Sequence, residues 1–408
     1  MTLLRDLPNA QRRAIDIVKE IAVEKEVRPF LVGGPVRDIL LGRRSIDIDL
    51  TLESGVSTLA RALAKRIDGR VRSHPQFLTY KVTAPEFPEI DITTARKERY
   101  RQPGALPVVT AGRLKDDLLR RDFSINAIAY DLLGGTLHDP ANGQQDIEAR
   151  VVRVLHDKSF IDDPTRIFRA VRLATRLGFE LEQQTRAWMN EAIQANALST
   201  VSKERIWREL FLAMDEEEAP AVLAALATSG ALDVLFGRRE SDPRARLETI
   251  HAQLADNPEL DRYVLYTGAL LRGDASPVDF EGSGFSQKRA RAVVEIANDV
   301  PRVEEALEAA SNDRERFRIY RSISPEMLIV IASEIPDETP HIRRYRDFEN
   351  FKLPLRGNDL EVPGGPHVAK ALEQTREAVF SGEIAPEDAR NYARRVAKQL
   401  LDNGATGS

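Results

Sequence analysis

Cysteine is absent from the 408 residues. That excludes a disulfide framework, a thiolate metal site and a cysteine nucleophile, and it fits a reducing compartment such as the cytoplasm. Histidine is scarce, with six residues scattered without metal-ligand spacing, so His74 and His138 read as structural. No HD-type phosphohydrolase motif is visible in the second half of the chain. No apolar run approaches the roughly 18 residues of a membrane helix, and the opening "MTLLRDLPNAQRRAIDIVKE" is charged where a signal peptide would be apolar. The expectation is a chain neither exported nor membrane-spanning. Excess positive charge is missing as well: 59 Lys and Arg against 64 Asp and Glu leave a net charge of -5, which weighs against an indiscriminate polyanion binder. No repeat of 20 to 50 residues occurs.

What is present is a globular composition, 42% hydrophobic and 30% charged, long enough for two to four domains. Basic clusters recur locally, several with an interleaved aromatic: "ARKERYR" (95–101), "LLRRDF" (118–123), "TRIFRAVRLATR" (165–176), "SQKRARAVVE" (286–295), "HIRRYRDF" (341–348) and "RNYARRVAKQ" (390–399). Any one of these is a solvated helix face as readily as a nucleic-acid contact, and their recurrence is what favours RNA. The first 150 residues mix periods. Residues 8–26 and 56–69 read as amphipathic helices, "RPFLVGG" as a short buried strand and "PVRDILLG" as a helix with an early proline. "SIDIDLTL" reads as a strand, with Ile46 and Ile48 turned to a core, while "RVRSHPQFLTYKVTA" and "PEIDITTAR" read as a strand pair. Residues 101–113, with two prolines and two glycines, predict a loop, and helical periods dominate from about 151 onward.

The stretch "FLVGGPVRDILLGRRSIDIDLTL" (30–52) concentrates chemistry. In a strand, Asp47 and Asp49 point to one face, with Cα atoms about 6.5 to 7 Å apart. Such a pair is costly unless solvated or matched by cations, and two Mg²⁺ ions are the known match in phosphoryl transfer. Gly33-Gly34 between strand and helix lets backbone N–H groups approach a phosphate, with Arg37 one turn on as a charged fork. No Gly-Lys-Ser/Thr follows and there is no third glycine, so this is neither a Walker A loop nor a dinucleotide-binding turn.

In these residues the chain resembles the class II tRNA nucleotidyltransferase and bacterial poly(A) polymerase family, whose signature is Gly-Gly-x-x-Arg-Asp, a spacer and Asp-x-Asp. The resemblance continues in order through "RRDFSINAIAYD" (120–131), "LHDPANGQQDI" (137–147), "DDPTRIFRAVRLATRLGF" (162–179) and "SKERIWREL" (202–210), and more weakly through "LPLRGNDLEVPGGPHVAKALEQTREAVFSGEI" (353–384). It implies an α+β protein: a polymerase-beta-like nucleotidyltransferase head with a small mixed sheet over residues 1–150, then an all-helical neck (151–230), body (231–340) and tail (341–408). The implied activity is template-independent addition or repair of the tRNA 3′-CCA end from CTP and ATP with two Mg²⁺ ions. CC-only or A-only addition, poly(A) synthesis and a non-catalytic RNA-binding role are the alternatives, and a small-molecule nucleotidyltransferase shares the Asp-x-Asp logic.

By the same resemblance, Asp47 and Asp49 are the metal carboxylates and Asp91 is a candidate third. Gly33, Gly34 and Arg37 belong to the triphosphate side, with Asp38 bracing the turn, and Arg121, Asp122 and Asn126 face nucleotide and ribose. Asp163 and Arg166, read as three apart on a helix over 162–178, present an acceptor and a donor to cytosine or adenine, whereas uracil and guanine place a carbonyl against the carboxylate. Arg169 and Arg172 match positions near the triphosphate or in the helix interior. Asp162 stands where the family pattern commonly has Glu, and the loop over 96–113 is rich in proline and glycine, so base selectivity is a matter for test. Arg343, Arg344, Tyr345, Arg346, Arg394 and Arg395 are the candidates for contacts to the tRNA backbone.

Overall fold

Ala14, Ile15, Val18, Ile21 and Ala22 recur at helical spacing, and in the computed structural model α1 (Asn9–Glu24) buries all five along one stripe. The structure describes residues 3–5, 7–43, 47–75, 78–237, 242–271 and 280–405, which form two compact units, 1–239 and 240–408.

In the first unit, β1 (Phe30–Val32), α2 (Gly34–Leu40), β2 (Ile48–Leu52) and α3 (Val56–Arg66) follow α1. Then come β3 (Arg70–His74), β4 (Thr79–Ala84) and β5 (Phe87–Thr94), so the segment read as a strand pair is three strands. With β8 (Ala129–Asp131) and β9 (Leu137–His138) they make a seven-stranded described sheet in the order β3-β4-β5-β2-β1-β8-β9. Ile48, Leu50 and Leu52 are buried from β2, and Ile90 and Ile92 from β5. Ile46, expected in that core, lies outside the described residues. The β2–β5 pairing is parallel and sets Asp49 opposite Asp91.

Of the segment read as a loop over 101–113, residues 101–107 are loop as expected, but 108–111 form one strand of a β-ribbon. β6 (Arg96–Arg99) pairs antiparallel with β7 (Val108–Ala111), and the prolines lie between the ladders, where no N–H is needed. α4 (Leu114–Leu119) follows, and α5 (Gly143–Ala149) and β10 (Val151–Val152) lead out of the sheet.

The helix expected over 162–178 is two elements. α6 (Ser159–Asp162) ends at Asp162, and α7 runs Arg166–Leu177, closing on Gly178 at φ 66°. Asp163 is extended (φ −137°, ψ 90°) because the proline after it disfavours the helical region. Then follow β11 (Glu180–Leu181), α8 (Gln183–Gln194), α9 (Lys203–Met214), α10 (Ala219–Thr228) and α11 (Asp233–Phe236). The second unit is helical as described: α12 (Arg244–Asp256), α13 (Arg262–Leu271), α14 (Gln287–Ala309), α15 (Asp313–Ser322), α16 (Pro325–Glu334), α17 (Thr339–Glu349), α18 (Pro366–Phe380) and α19 (Ala389–Ala405). No described helix is long and apolar enough to cross a membrane.

Candidate active site

A cleft of about 1020 Å³ lies in the first unit. Asp47, Asp49, Asp91, Gly34, Arg37, Arg121, Asp122, Asn126, Asp163, Arg166, Arg169 and Arg172, scattered over 140 positions of sequence, all line it. Eight arginines contribute to its wall.

The sheet supplies the carboxylates. Asp49 and Asp91 sit side by side on neighbouring parallel strands, and Asp47 precedes β2 on the same alternation. Burial, and then the charge of Asp91, push the Asp49 carboxyl up to about 6. Asp91 is also raised, by burial working against Lys81 at 3.7 Å, and its buried Oδ1 has no hydrogen-bond partner. These groups suit a divalent cation, which removes the repulsion they now bear. Among the described residues no three acidic, histidine or cysteine side chains form a ready-made metal cage.

Gly33 has φ 75°, and a Cβ there would collide with Arg121 Nη1. The missing side chain therefore makes room for a guanidinium. Gly34 has ordinary space around it: a Cβ added there would lie 3.6 Å from Arg37 Nη2, a normal van der Waals contact. Arg37 is buried, which lowers its pKa, and it pairs with Asp38 at 2.8 Å and donates to Asn126 Oδ1.

Asp122 and Asn126 brace the site. Asp122 Oδ1 accepts from Phe123 N at 2.9 Å and from Asn126 Nδ2 at 3.0 Å, and its Oδ2 accepts from Arg169 Nε at 3.0 Å. Burial would raise the Asp122 carboxyl, but the Arg169 charge and these donors hold it far below the usual carboxylate range. Arg172 is likewise occupied, at 3.0 Å from Glu209 and 3.1 Å from Glu216.

Asp163 and Arg166 do not pair with each other. Asp163 Oδ1 accepts from Thr165 N at 3.2 Å, Thr165 Oγ1 at 2.6 Å and Arg205 Nη2 at 2.9 Å, while Oδ2 has no partner among the described residues. Arg166 Nη2 donates to the Arg120 carbonyl at 3.2 Å and lies 3.5 Å from Tyr100 Oη, whereas its buried Nη1 has no hydrogen-bond partner among the described residues. Both residues line the cleft, Asp163 as an acceptor and Arg166 as a donor, with Arg166 Nη1 itself buried.

Sequence reasoning passes over Asp117, Arg120, Glu98, Tyr100 and Arg205. Asp117 carries a signal, standing three and four residues before Arg120 and Arg121 on one helical turn. Arg205 lies in the family-like stretch 202–210, but its partners Asp163 and the Gly104 carbonyl (2.7 Å) are remote in sequence and leave no local signal.

The candidates on α17 and α19 belong to the second unit. Tyr345 is a core side chain, its ring 5.6 Å from Phe317 and 5.4 Å from Tyr320, so it offers RNA no surface; its place among polar neighbours is the apolar stripe of α17. Arg344 pairs with Asp313 at 2.7 Å and lies over the Phe380 ring, Arg346 lies 3.4 Å from Glu259, and Arg394 donates to the Asp359 carbonyl at 2.9 Å. Arg343 and Arg395 are exposed, Arg395 with its guanidinium 5.3 Å from the Tyr392 ring centre.

Comparison with known proteins gives two family matches: the poly A polymerase head domain over residues 29–153, and the probable RNA and SrmB-binding site of polymerase A over residues 178–241. The chain is 29% identical over 428 residues to the A-adding tRNA nucleotidyltransferase of Geobacter sulfurreducens, covering 98% of this chain and 48% of that protein. It is 29% identical over 382 residues to the CCA-adding enzyme of Geobacillus stearothermophilus, covering 89% and 91%. A solved tRNA-processing enzyme in its apo form superposes with a TM-score of 0.73 at 26% identity, over 91% of this chain and 98% of that one. The chain spans about half the length, or less, of the A-adding relatives it matches.

Proposed function

On the premise that the chain belongs to the class II tRNA nucleotidyltransferase and poly(A) polymerase family, we propose that it is a tRNA nucleotidyltransferase completing the 3′-CCA end from CTP and ATP without a nucleic-acid template. The observation that carries this reading is that Asp163 and Arg166, an acceptor and a donor for a base edge, line the same cleft as the carboxylates Asp47, Asp49 and Asp91. Cytosine presents an exocyclic amine beside an unprotonated ring nitrogen, and adenine does the same. One acceptor and one donor satisfy either base. Uracil and guanine present a carbonyl beside a ring N–H, so both contacts fail at once.

In this reading Asp47 and Asp49, with Asp91 alongside on the neighbouring interior strand, would hold two Mg²⁺ ions. The ions would lower the barrier by favouring ionisation of the attacking hydroxyl and by offsetting charge on the departing pyrophosphate. The tRNA 3′-oxygen forms a bond to the α-phosphorus as the bond from that phosphorus to the bridging oxygen breaks, and pyrophosphate leaves with the electron pair. Arg37 and Arg121 bind and orient the triphosphate, with the backbone at Gly33 and Gly34 kept low enough to admit it. Asp122 and Asn126 act through Arg169 and Arg37, keeping those guanidinium groups in place, and Arg172 neutralises the acidic residues of α9 and the turn after it. Arg343 and Arg395 are the exposed cations proposed to meet the tRNA backbone.

A-only addition is the second reading, favoured by the run of relatives named A-adding, one of them 38% identical over 236 residues. Purified protein, Mg²⁺ and three tRNA transcripts ending at the discriminator base, at C and at CC decide between the two. Growth of all three to CCA supports the first reading, and growth of the CC transcript alone, with ATP, supports the second. No growth of any transcript overturns both.

A further inference from the structure

Asp117 is fully buried on α4 beneath the cleft and does not line it. Its Oδ1 accepts from Arg120 Nη2 at 2.7 Å and Nε at 3.0 Å, with Arg96 N at 3.4 Å, and its Oδ2 accepts from Arg121 Nη2 at 3.1 Å. Both guanidinium groups it holds reach the cleft wall. Arg121 Nη1 fills the space under Gly33, and the Arg120 carbonyl takes the Nη2 of Arg166. Asp117 is thus a fixed point for an arginine on the triphosphate side, and it shares Arg120, whose carbonyl meets the arginine on the base side, with Glu98 at 2.8 Å.

Two adjacent arginines repel one another and carry much rotamer freedom, which a ligand would otherwise have to freeze out. Fixing them in advance removes that cost from binding. We propose that Asp117 is a positioning residue for nucleotide binding, holding Arg121 in the orientation that receives the triphosphate. The inference rests on the nucleotidyl-transfer reading above. It assigns Asp117 no contact with substrate.

The test is equilibrium binding of ATP and CTP, with Ca²⁺ in place of Mg²⁺ to stop turnover, to the full chain and to Asp117→Asn, Arg121→Ala and the double variant. Leu114→Ala, on the same helix but outside the charge network, is the stability control. Asp117→Asn is expected to weaken ATP binding about tenfold or more, and the double variant to be no weaker than Arg121→Ala by more than about twofold, because the two act as one unit. Leu114→Ala is expected to lower the melting temperature with the nucleotide Kd unchanged. A folded Asp117→Asn that binds like the parent overturns the inference, as does a double variant whose losses multiply. Should Asp117→Asn give no melting transition, Asp117→Glu keeps the charge but shifts it by one methylene. About threefold or greater weakening there supports the proposal, and parental affinity overturns it. A parent chain that binds neither nucleotide overturns the functional reading and this inference together.

Discussion

Two sets of aspartates serve one cleft and are treated in opposite ways. Asp122 and Asp117 are each surrounded by guanidinium and N–H donors, and both titrate below the ordinary range although burial alone would lift them. Asp49 and Asp91 are lifted by burial and by neighbouring carboxylates, which outweigh Arg121 and Lys81, and both titrate above it. A carboxylate whose lone pairs are filled holds a frame. One left short of partners, beside a second of the same sign, holds free energy that an incoming cation can release, so perturbation marks the chemical end of the site.

The contrast is broken most severely at Asp49. Asp49→Asn is expected to cut nucleotide addition by at least about a thousandfold while raising the melting temperature at pH 7.5 without divalent ions. The sign follows from the raised folded pKa. Between the ordinary carboxylate value and about 6 the folded state binds more protons than the unfolded one, so this group's contribution to stability declines as pH rises through that window. A lower melting temperature in the variant would remove Asp49 from the strained set.

Asp122→Asn should do the reverse, costing roughly 2 to 4 kcal/mol of stability by leaving Arg169 without its partner, as read by urea denaturation. The depressed folded pKa makes the stabilisation complete above the unfolded carboxylate value and lost as pH falls from about 4 toward the folded one. Asp163→Asn sharpens the contrast on the base side. The donors on Oδ1 orient the new amide with its nitrogen toward the base, so CTP-over-UTP discrimination is expected to fall by about tenfold or more, measured as a ratio of kcat/KM. Adding Mg²⁺ should raise the melting temperature of the parent chain by a few degrees at pH 7.5, less at pH 5, and not at all in Asp49→Asn. Smallest of all, Arg343→Ala is expected to weaken tRNA binding a few-fold without moving the melting temperature, one exposed phosphate contact being worth little at physiological salt.

Much of this site is legible in sequence because it is local. Gly33, Arg37, Asp47 and Asp49 fall within 17 positions, and period-2 alternation alone puts both carboxylates on one face. The helix start expected at 162 is misplaced because helical periodicity through Asp162 and Asp163 conflicts with the proline at 164, which disfavours the helical region for the residue before it. The structure resolves the conflict with an extended Asp163 whose side chain bonds Thr165 N two residues on, the turn that Asp adopts when it does not cap a helix. The ribbon over 96–111 is hidden because prolines that interrupt a strand and prolines that join two strands look alike without the pairing partner. Tyr345 falls into an RNA-facing set by virtue of the arginines around it, although its place on α17 belongs to the core stripe. The tie from Arg205 to Asp163 and Gly104 has no local trace.

With Oδ1 of Asp163 engaged by three donors, base reading as proposed would rest on its second oxygen, which asks one question of a base: whether the group at its edge carries hydrogens. Hydrolytic deamination turns cytosine to uracil and adenine to hypoxanthine by replacing that amine with a carbonyl. A chemically damaged nucleotide therefore fails at the same atom that accepts the intact one. The cleft would keep the lesions of an ageing nucleotide pool out of the RNA end it builds, with no separate proofreading step.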